Sequence, residues 1–110
     1  MRIERINRNN IAIISLEGRI DGKSVPDLRV TLLFHLQTVK DAVFDLSKVN
    51  HLSSSGLRLL LLVSRYSAVN SGRLIFTGIH KDLISVMSQT GFLPFLRMAD
   101  TEEQAMKLLL

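Results

Sequence analysis

The first regular pattern in the chain is apolar: Ile11, Ile13, Ile14 and Leu16 read as a strand that follows a turn at Asn9-Asn10. Met1 to Arg8 alternates more weakly and is read as the hairpin partner of that strand. Gly18-Arg19-Ile20-Asp21-Gly22 reads as a turn-rich connection. Beyond it the period changes, and Val25, Leu28, Leu32, Leu36 and Val39 recur at helical spacing to form one buried face. Ser24-Val25-Pro26-Asp27 supplies a helix start. The Ser24 hydroxyl can accept from a free backbone N–H, proline needs no N–H in a first turn, and Asp27 places negative charge at the positive end of the dipole.

Ala42-Val43-Phe44-Asp45-Leu46 predicts a short apolar strand. Gly56 to Asn70 predicts a second helix, closed by Asn70-Ser71-Gly72, and Arg73 to Gly78 a third central strand. Leu83, Val86 and Met87 mark a further helix ended by Gly91 and Pro94, and Phe95-Leu96-Arg97 reads as a short edge strand. A last helix starts at Thr101, with Gln104 completing a capping box. Strands alternating with helices predict one α/β domain over residues 1–110, with a mixed, mostly parallel sheet flanked by helices. In such folds the functional loops leave the carboxyl ends of strands, and the segment after Leu46 reads as one, leading to the serines that follow.

Composition narrows the chemistry. The 110 residues are 46% hydrophobic, enough for a core without staples, and the lack of cysteine excludes disulfides and thiolate metal sites. Fourteen Lys and Arg against ten Asp and Glu give a net charge of +4, spread in singles and pairs rather than runs. With only five Phe and one Tyr to stack on bases, no direct nucleic-acid partner is expected. The most apolar run, Leu57 to Val63, is interrupted by Arg58 and is too short for a bilayer, and the first residues lack the apolar stretch of a signal peptide. A cytoplasmic location without membrane insertion is therefore expected. His35, His51 and His80 are not at metal-ligand spacing and no Gly-Lys-Ser/Thr phosphate loop occurs, so no metal, cofactor or catalytic residue is expected.

Leu52-Ser53-Ser54-Ser55-Gly56-Leu57 carries the candidate chemistry. One serine suffices to cap a helix; three followed by glycine suggest a turn kept small so that something can approach closely. If the helix runs from Ser54, then Ser54, Arg58, Leu62 and Arg65 share one face, with two arginines around a leucine, as suits a protein interface. A solvated stripe with a stray leucine is the alternative. Leu57, Leu60, Leu61 and Ser64 are expected toward the buried side. A hydroxyl on such a face can serve as a phosphorylation switch.

The stretch Asp45-Leu46-Ser47-Lys48-Val49-Asn50-His51-Leu52-Ser53-Ser54-Ser55-Gly56-Leu57 resembles the signature of STAS domains, particularly bacterial anti-sigma-factor antagonists. The resemblance continues upstream in Gly18-Arg19-Ile20-Asp21, and downstream in Gly91-Phe92-Leu93 and Thr101-Glu102-Glu103-Gln104-Ala105. It implies a mixed sheet flanked by helices and a role in partner switching. In that family the unphosphorylated antagonist binds an anti-sigma factor that is also a serine-protein kinase, which frees the sigma factor. Phosphorylation of a serine switches the antagonist off, and a cognate phosphatase reverses it. By position Ser54 is the phosphorylated serine, Ser55 and Gly56 fill the next motif positions, and Asp21 matches an acidic residue of a nearby loop. Asp21 reads equally well as an acidic turn residue beside Gly22.

One position departs from the family pattern. Ser53 stands where an aspartate usually precedes the phosphorylated serine, which preserves N-capping, removes a fixed negative charge and makes Ser53 a second candidate phosphosite. Two alternatives stay open: a non-phosphorylated STAS-like structural or regulatory subunit of a transporter or stress-signalling assembly, and a nucleotide-binding protein or weak hydrolase that uses the helix start as an anion cradle. A monomer or weak dimer is expected.

Overall fold

Asn9 and Asn10 both adopt left-handed backbone, with φ of 55° and 63°. Two consecutive left-handed residues match the twist of a tight hairpin, and asparagine tolerates them. They join strand β1 (Arg2–Arg8) to β2 (Ile11–Ile20) in the computed structural model, which describes residues 1–110. The chain continues through α1 (Val25–Leu36), β3 (Asp41–Leu52), α2 (Ser54–Val69), β4 (Arg73–Thr77), α3 (Lys81–Gln89), a single 3₁₀ turn (Leu93–Phe95), β5 (Met98–Ala99) and α4 (Glu102–Leu109). The five strands lie in the order β1-β2-β3-β4-β5, antiparallel between β1 and β2 and parallel elsewhere. The predicted mixed, mostly parallel sheet flanked by helices is what the chain forms.

Both faces of the sheet are covered at its centre, which is why β2 reads as a run rather than an alternation. Ala12, Ile14, Leu16, Ala42, Phe44, Leu74 and Phe76 pack on the side of α1, α2 and α3, against Leu28, Leu32, Leu57, Leu60, Val63 and Met87 among others. Ile11, Ile13, Val43 and Ile75 point the opposite way and are covered by Ala105, Met106 and Leu109 of α4. Arg73 ties that helix down. Its guanidinium donates to both Asp41 oxygens at 3.2 and 2.8 Å and to the Leu109 carbonyl at 2.9 Å, and the Asp41 carboxylate raises its pKa. Thr101 caps α4 by accepting from the Gln104 N–H at 3.1 Å, while the Gln104 side chain accepts from Asp100, one residue before the cap.

Three predicted features are corrected. β3 does not stop at Leu46 with a loop behind it, and Gly18-Arg19-Ile20 is not a turn: the two strands continue side by side to the pair Ile20↔Leu52. β4 leaves the sheet at the pair Asp45↔Thr77, so this extension is a two-stranded tongue whose Ser47, Lys48 and Asn50 are solvent-exposed. The register shifts after Ser15 and after Gly18, each time adding a residue on β3, so the buried positions fall at Leu46, Val49 and Leu52. That spacing of three conceals a strand from a period-two reading. The edge strand forms at Met98–Ala99 rather than at Phe95-Leu96-Arg97. Pro94 sits within a tight turn in which the N–H groups of Phe95 and Leu96 bond back to Phe92 and Leu93, so they are not available to a ladder.

Candidate docking site

The tongue places the serine turn. β2 ends at Ile20 and β3 at Leu52, and the Ser53 N–H donates to the Ile20 carbonyl at 2.9 Å. Ser53 is extended, and its hydroxyl accepts from the Gly56 N–H at 3.1 Å, which satisfies one of the free donors of α2. Ser54 is the first helical residue and is exposed; Ser55 is half-buried. Gly56 is buried: a Cβ there would lie 2.6 Å from the Ile20 carbonyl oxygen, 2.7 Å from its Cγ2 and 2.8 Å from a Leu52 methyl. Glycine therefore lets the helix cross directly over the strand ends, and Gly56 acts beneath the surface rather than on it. No acidic residue stands in the first turn of α2. Its positive dipole end has no counter-charge within its own first turn, and Arg58 stands one turn further on.

These roles separate the serines by stability. Ser53→Ala is expected to lower the unfolding free energy by about 1 kcal/mol, within the ~0.5–2 kcal/mol of a lost cap. Ser54→Ala is expected to stay within about 0.5 kcal/mol of the parent. Urea unfolding of the two variants checks this, and equal losses would show that the cap is shared.

Asp21 lies just beyond the end of β2, next to the Ser53 strand end. Its Oδ1 accepts from the N–H groups of Lys23 at 3.0 Å and Ser24 at 3.2 Å, and its Oδ2 lies 3.5 Å from Arg19 Nε. The Ser24 backbone N–H, followed by that of Lys23 and by Arg19, holds the Asp21 carboxyl below its ordinary pKa against an opposing desolvation. The capping expected of Ser24 is not made. Its hydroxyl turns back to accept from the Asp21 N–H at 3.0 Å and to donate to the Arg19 carbonyl at 2.8 Å. Asp21 thus organises the turn before α1, and its carboxylate is already engaged.

Arg58, Leu62 and Arg65 do share a face with Ser54: the three longer side chains line a groove of about 570 Å³ between α1 and α2. Arg29 and Leu33 of α1, Leu61, Tyr66 and Val69 of α2, and Asn70 just beyond it complete it, and the sequence reading missed these contributions. The signal was present, since Arg29 and Leu33 lie one turn apart and outside the Leu28, Leu32, Leu36 stripe. Leu61 and Ser64, expected on the buried side, are half-buried; Leu59 and Val63 take the deep positions beside Leu57 and Leu60. The histidines are dispersed. His35 meets Arg5 at 3.0 Å and has a lowered pKa through burial and that charge, and His80 meets the Ser47 carbonyl at 3.2 Å. No group of three or more His, Cys, Asp or Glu is placed to hold a metal ion, and no helix is long and apolar enough to cross a membrane.

The fold and site define a small α/β domain that presents a helix start and an adjoining groove rather than an enclosed cleft. The chain belongs to the STAS domain family, whose family model matches residues 2–105. It is 24% identical over 106 residues to BtrV of Bordetella bronchiseptica, a candidate anti-sigma factor antagonist, covering 96% of this chain and 91% of that protein. Among solved structures it superposes on a serine-to-glutamate variant of RsbS from Moorella thermoacetica with a TM-score of 0.83, at 20% identity over 99% of this chain and 95% of the other. The Bacillus cell fate determinant SpoIIAA in its phosphorylated form gives a TM-score of 0.72 at 21% identity, covering 99% and 100% of the two chains. SpoIIAA has also been solved unphosphorylated, as an anti-sigma factor antagonist. The chain has the fold of these solved structures.

Proposed function

We propose that this protein is an anti-sigma-factor antagonist that binds an anti-sigma factor/serine kinase through the start of α2 and is switched off by phosphorylation of Ser54. The observation that carries the reading is a division of labour at that start. Ser53 makes the cap, Gly56 makes the close packing, and Ser54 keeps an exposed hydroxyl at the first helical position. In the switching step the γ-phosphoryl of ATP passes to Ser54 Oγ, the hydroxyl proton is lost and ADP leaves; a cognate phosphatase hydrolyses the ester. The protein itself acts as a binding partner in the cytoplasm and not as an enzyme.

A phosphate adds a charge of about −1.5 to −2. In the free protein the positive dipole end of α2 and Arg58 stabilise it. Within an interface it must be stripped of water, at a cost of several kcal/mol unless paired, and each ~1.4 kcal/mol is a factor of about ten in affinity. Ser54→Asp is therefore expected to weaken binding to the cognate anti-sigma kinase at least about tenfold with the fold intact. Calorimetry that returns equal affinities for the two proteins rejects the switch. In a kinase assay Ser54→Ala should take up no phosphate; if it still does, mapping to Ser53 moves the switch by one residue.

Ser53 also favours a second reading. Without the acid usual before the phosphosite, the domain suits a non-phosphorylated structural or regulatory subunit of a transporter or stress-signalling assembly. Co-purification with such an assembly, without phosphoserine in native cells, selects that reading.

A further inference from the structure

The groove between α1 and α2 runs well past the helix start, to Val69 at the last turn of α2. Leu33, Leu61, Leu62 and Tyr66 give it an apolar floor, and Arg29, Arg58 and Arg65 line it without any carboxylate. None of these three arginines joins an ion pair within the chain; the pairs are Arg2–Glu4, Arg8–Glu102, Arg19–Asp21 and Arg73–Asp41. α2 contains no acidic residue at all. Val69 is 78% exposed, so the apolar strip runs out to solvent instead of closing under another element.

We infer that this groove is the docking site for an acidic amphipathic helix of a partner protein. Arg58, Leu62, Arg65 and Val69 follow one another along α2 in steps of four, three and four, a strip of about 16 Å at the ~1.5 Å rise of a helix. That is about three turns of a partner helix, whose apolar residues recur with the same spacing and seat on Leu33, Leu62, Tyr66 and Val69. Carboxylates flanking its stripe meet the guanidinium groups, which accept a carboxylate through two parallel hydrogen bonds. The charge complementarity is one-sided: a basic helix meets three like charges and no counter-ion. The apolar floor lies between two neighbouring helices, a shape that a partner helix fills more fully than a flat anionic bilayer does. The inference rests on the reading of α2 as the docking element and adds the chemistry of what docks.

The test uses the full chain and a fluorescent synthetic peptide of about 18 residues, long enough to form a helix, built from leucine at helical spacing and flanking glutamates. Anisotropy titration is expected to give saturable binding that weakens as salt rises from about 50 to about 300 mM. Arg29→Glu combined with Arg65→Glu should weaken it at least about tenfold, and Val69→Ser, at an exposed position that cannot unfold the core, should weaken it by a smaller factor. The same peptide with lysine for glutamate should not bind. Absence of saturable binding, equal binding of the lysine peptide, or unchanged binding by the variants overturns the inference. So does binding of phosphatidylserine vesicles without binding of the peptide, or self-association abolished by Arg65→Glu, which assign the groove to a lipid surface or a second copy. Ser54→Asp titrated against the anti-sigma kinase separates the two readings. If it loses affinity while the peptide fails to bind, the groove inference falls and the switch stands; the converse pattern sinks the switch alone.

Discussion

Phe44→Ala is expected to remove about 3–5 kcal/mol of stability, among the largest losses of any single truncation in this chain. Phe44 is fully buried in the middle of β3, with β2 on one side and β4 on the other. Its ring meets Phe76 of β4 edge to face, with centroids 5.6 Å apart, beneath the helices of the larger core. Truncation loses the transfer of the ring, the aromatic pair, and the packing around a void that strands hydrogen-bonded on both sides cannot close. A domain of this size has in total only about 5–15 kcal/mol, so the variant will be marginal at 25 °C. In urea the midpoint should fall steeply with the slope unchanged. Phe34→Ala is the control, since Phe34 is 63% exposed and its loss should stay within about 0.5 kcal/mol. A Phe44→Ala loss below about 1.5 kcal/mol would mean that β3 relaxes into the void, contrary to its two-sided pairing.

What the sequence made legible follows from where a single physical signal dominated. The Asn9-Asn10 turn, the stripe of Leu28, Leu32 and Leu36, and the start of α2 at the serines each rest on local chemistry, and each is found as expected. The tongue was not legible because it is an outcome of pairing. Ser47, Lys48 and Asn50 look like loop residues, and only the parallel partner Glu17–Ile20 makes them strand. Ser24 shows the same limit in a cap. Serine before a helix has the right chemistry, but its hydroxyl is drawn back into the preceding turn, where it accepts from the Asp21 N–H and donates to the Arg19 carbonyl, and Pro26 leaves one fewer N–H in the first turn of α1 to cap. At the site, Ser54, Arg58, Leu62 and Arg65 lie on one face because their spacing alone dictates it. Arg29 and Leu33 join them through the packing of α1 on α2, a tertiary fact that no periodicity within α2 contains.

Gly56→Val is the second large effect, and it bears on how the site is held. The added Cβ meets the Ile20 carbonyl, the Ile20 side chain and a Leu52 methyl at 2.6 to 2.8 Å, and the nearest of these is backbone. Backbone cannot rotate away, so the start of α2 must lift off the tongue. Overpacking of this kind costs about 1–3 kcal/mol, and the two valine methyls place the expected loss near 3 kcal/mol. Gly56→Ala should cost less, because alanine regains up to about 1 kcal/mol of helix propensity over glycine. Lifting the helix also strains the bond from the Ser53 N–H to the Ile20 carbonyl, and Ser54 rides on the same turn. Loss of binding to the proposed anti-sigma partner should therefore exceed what the fraction unfolded explains, whereas Phe44→Ala should lose binding only as the population unfolds. Measuring affinity and unfolding for both variants at one temperature separates these cases. If Gly56→Val binds in proportion to its folded fraction, the helix start tolerates displacement, and the docking surface lies further along α2, toward Arg65.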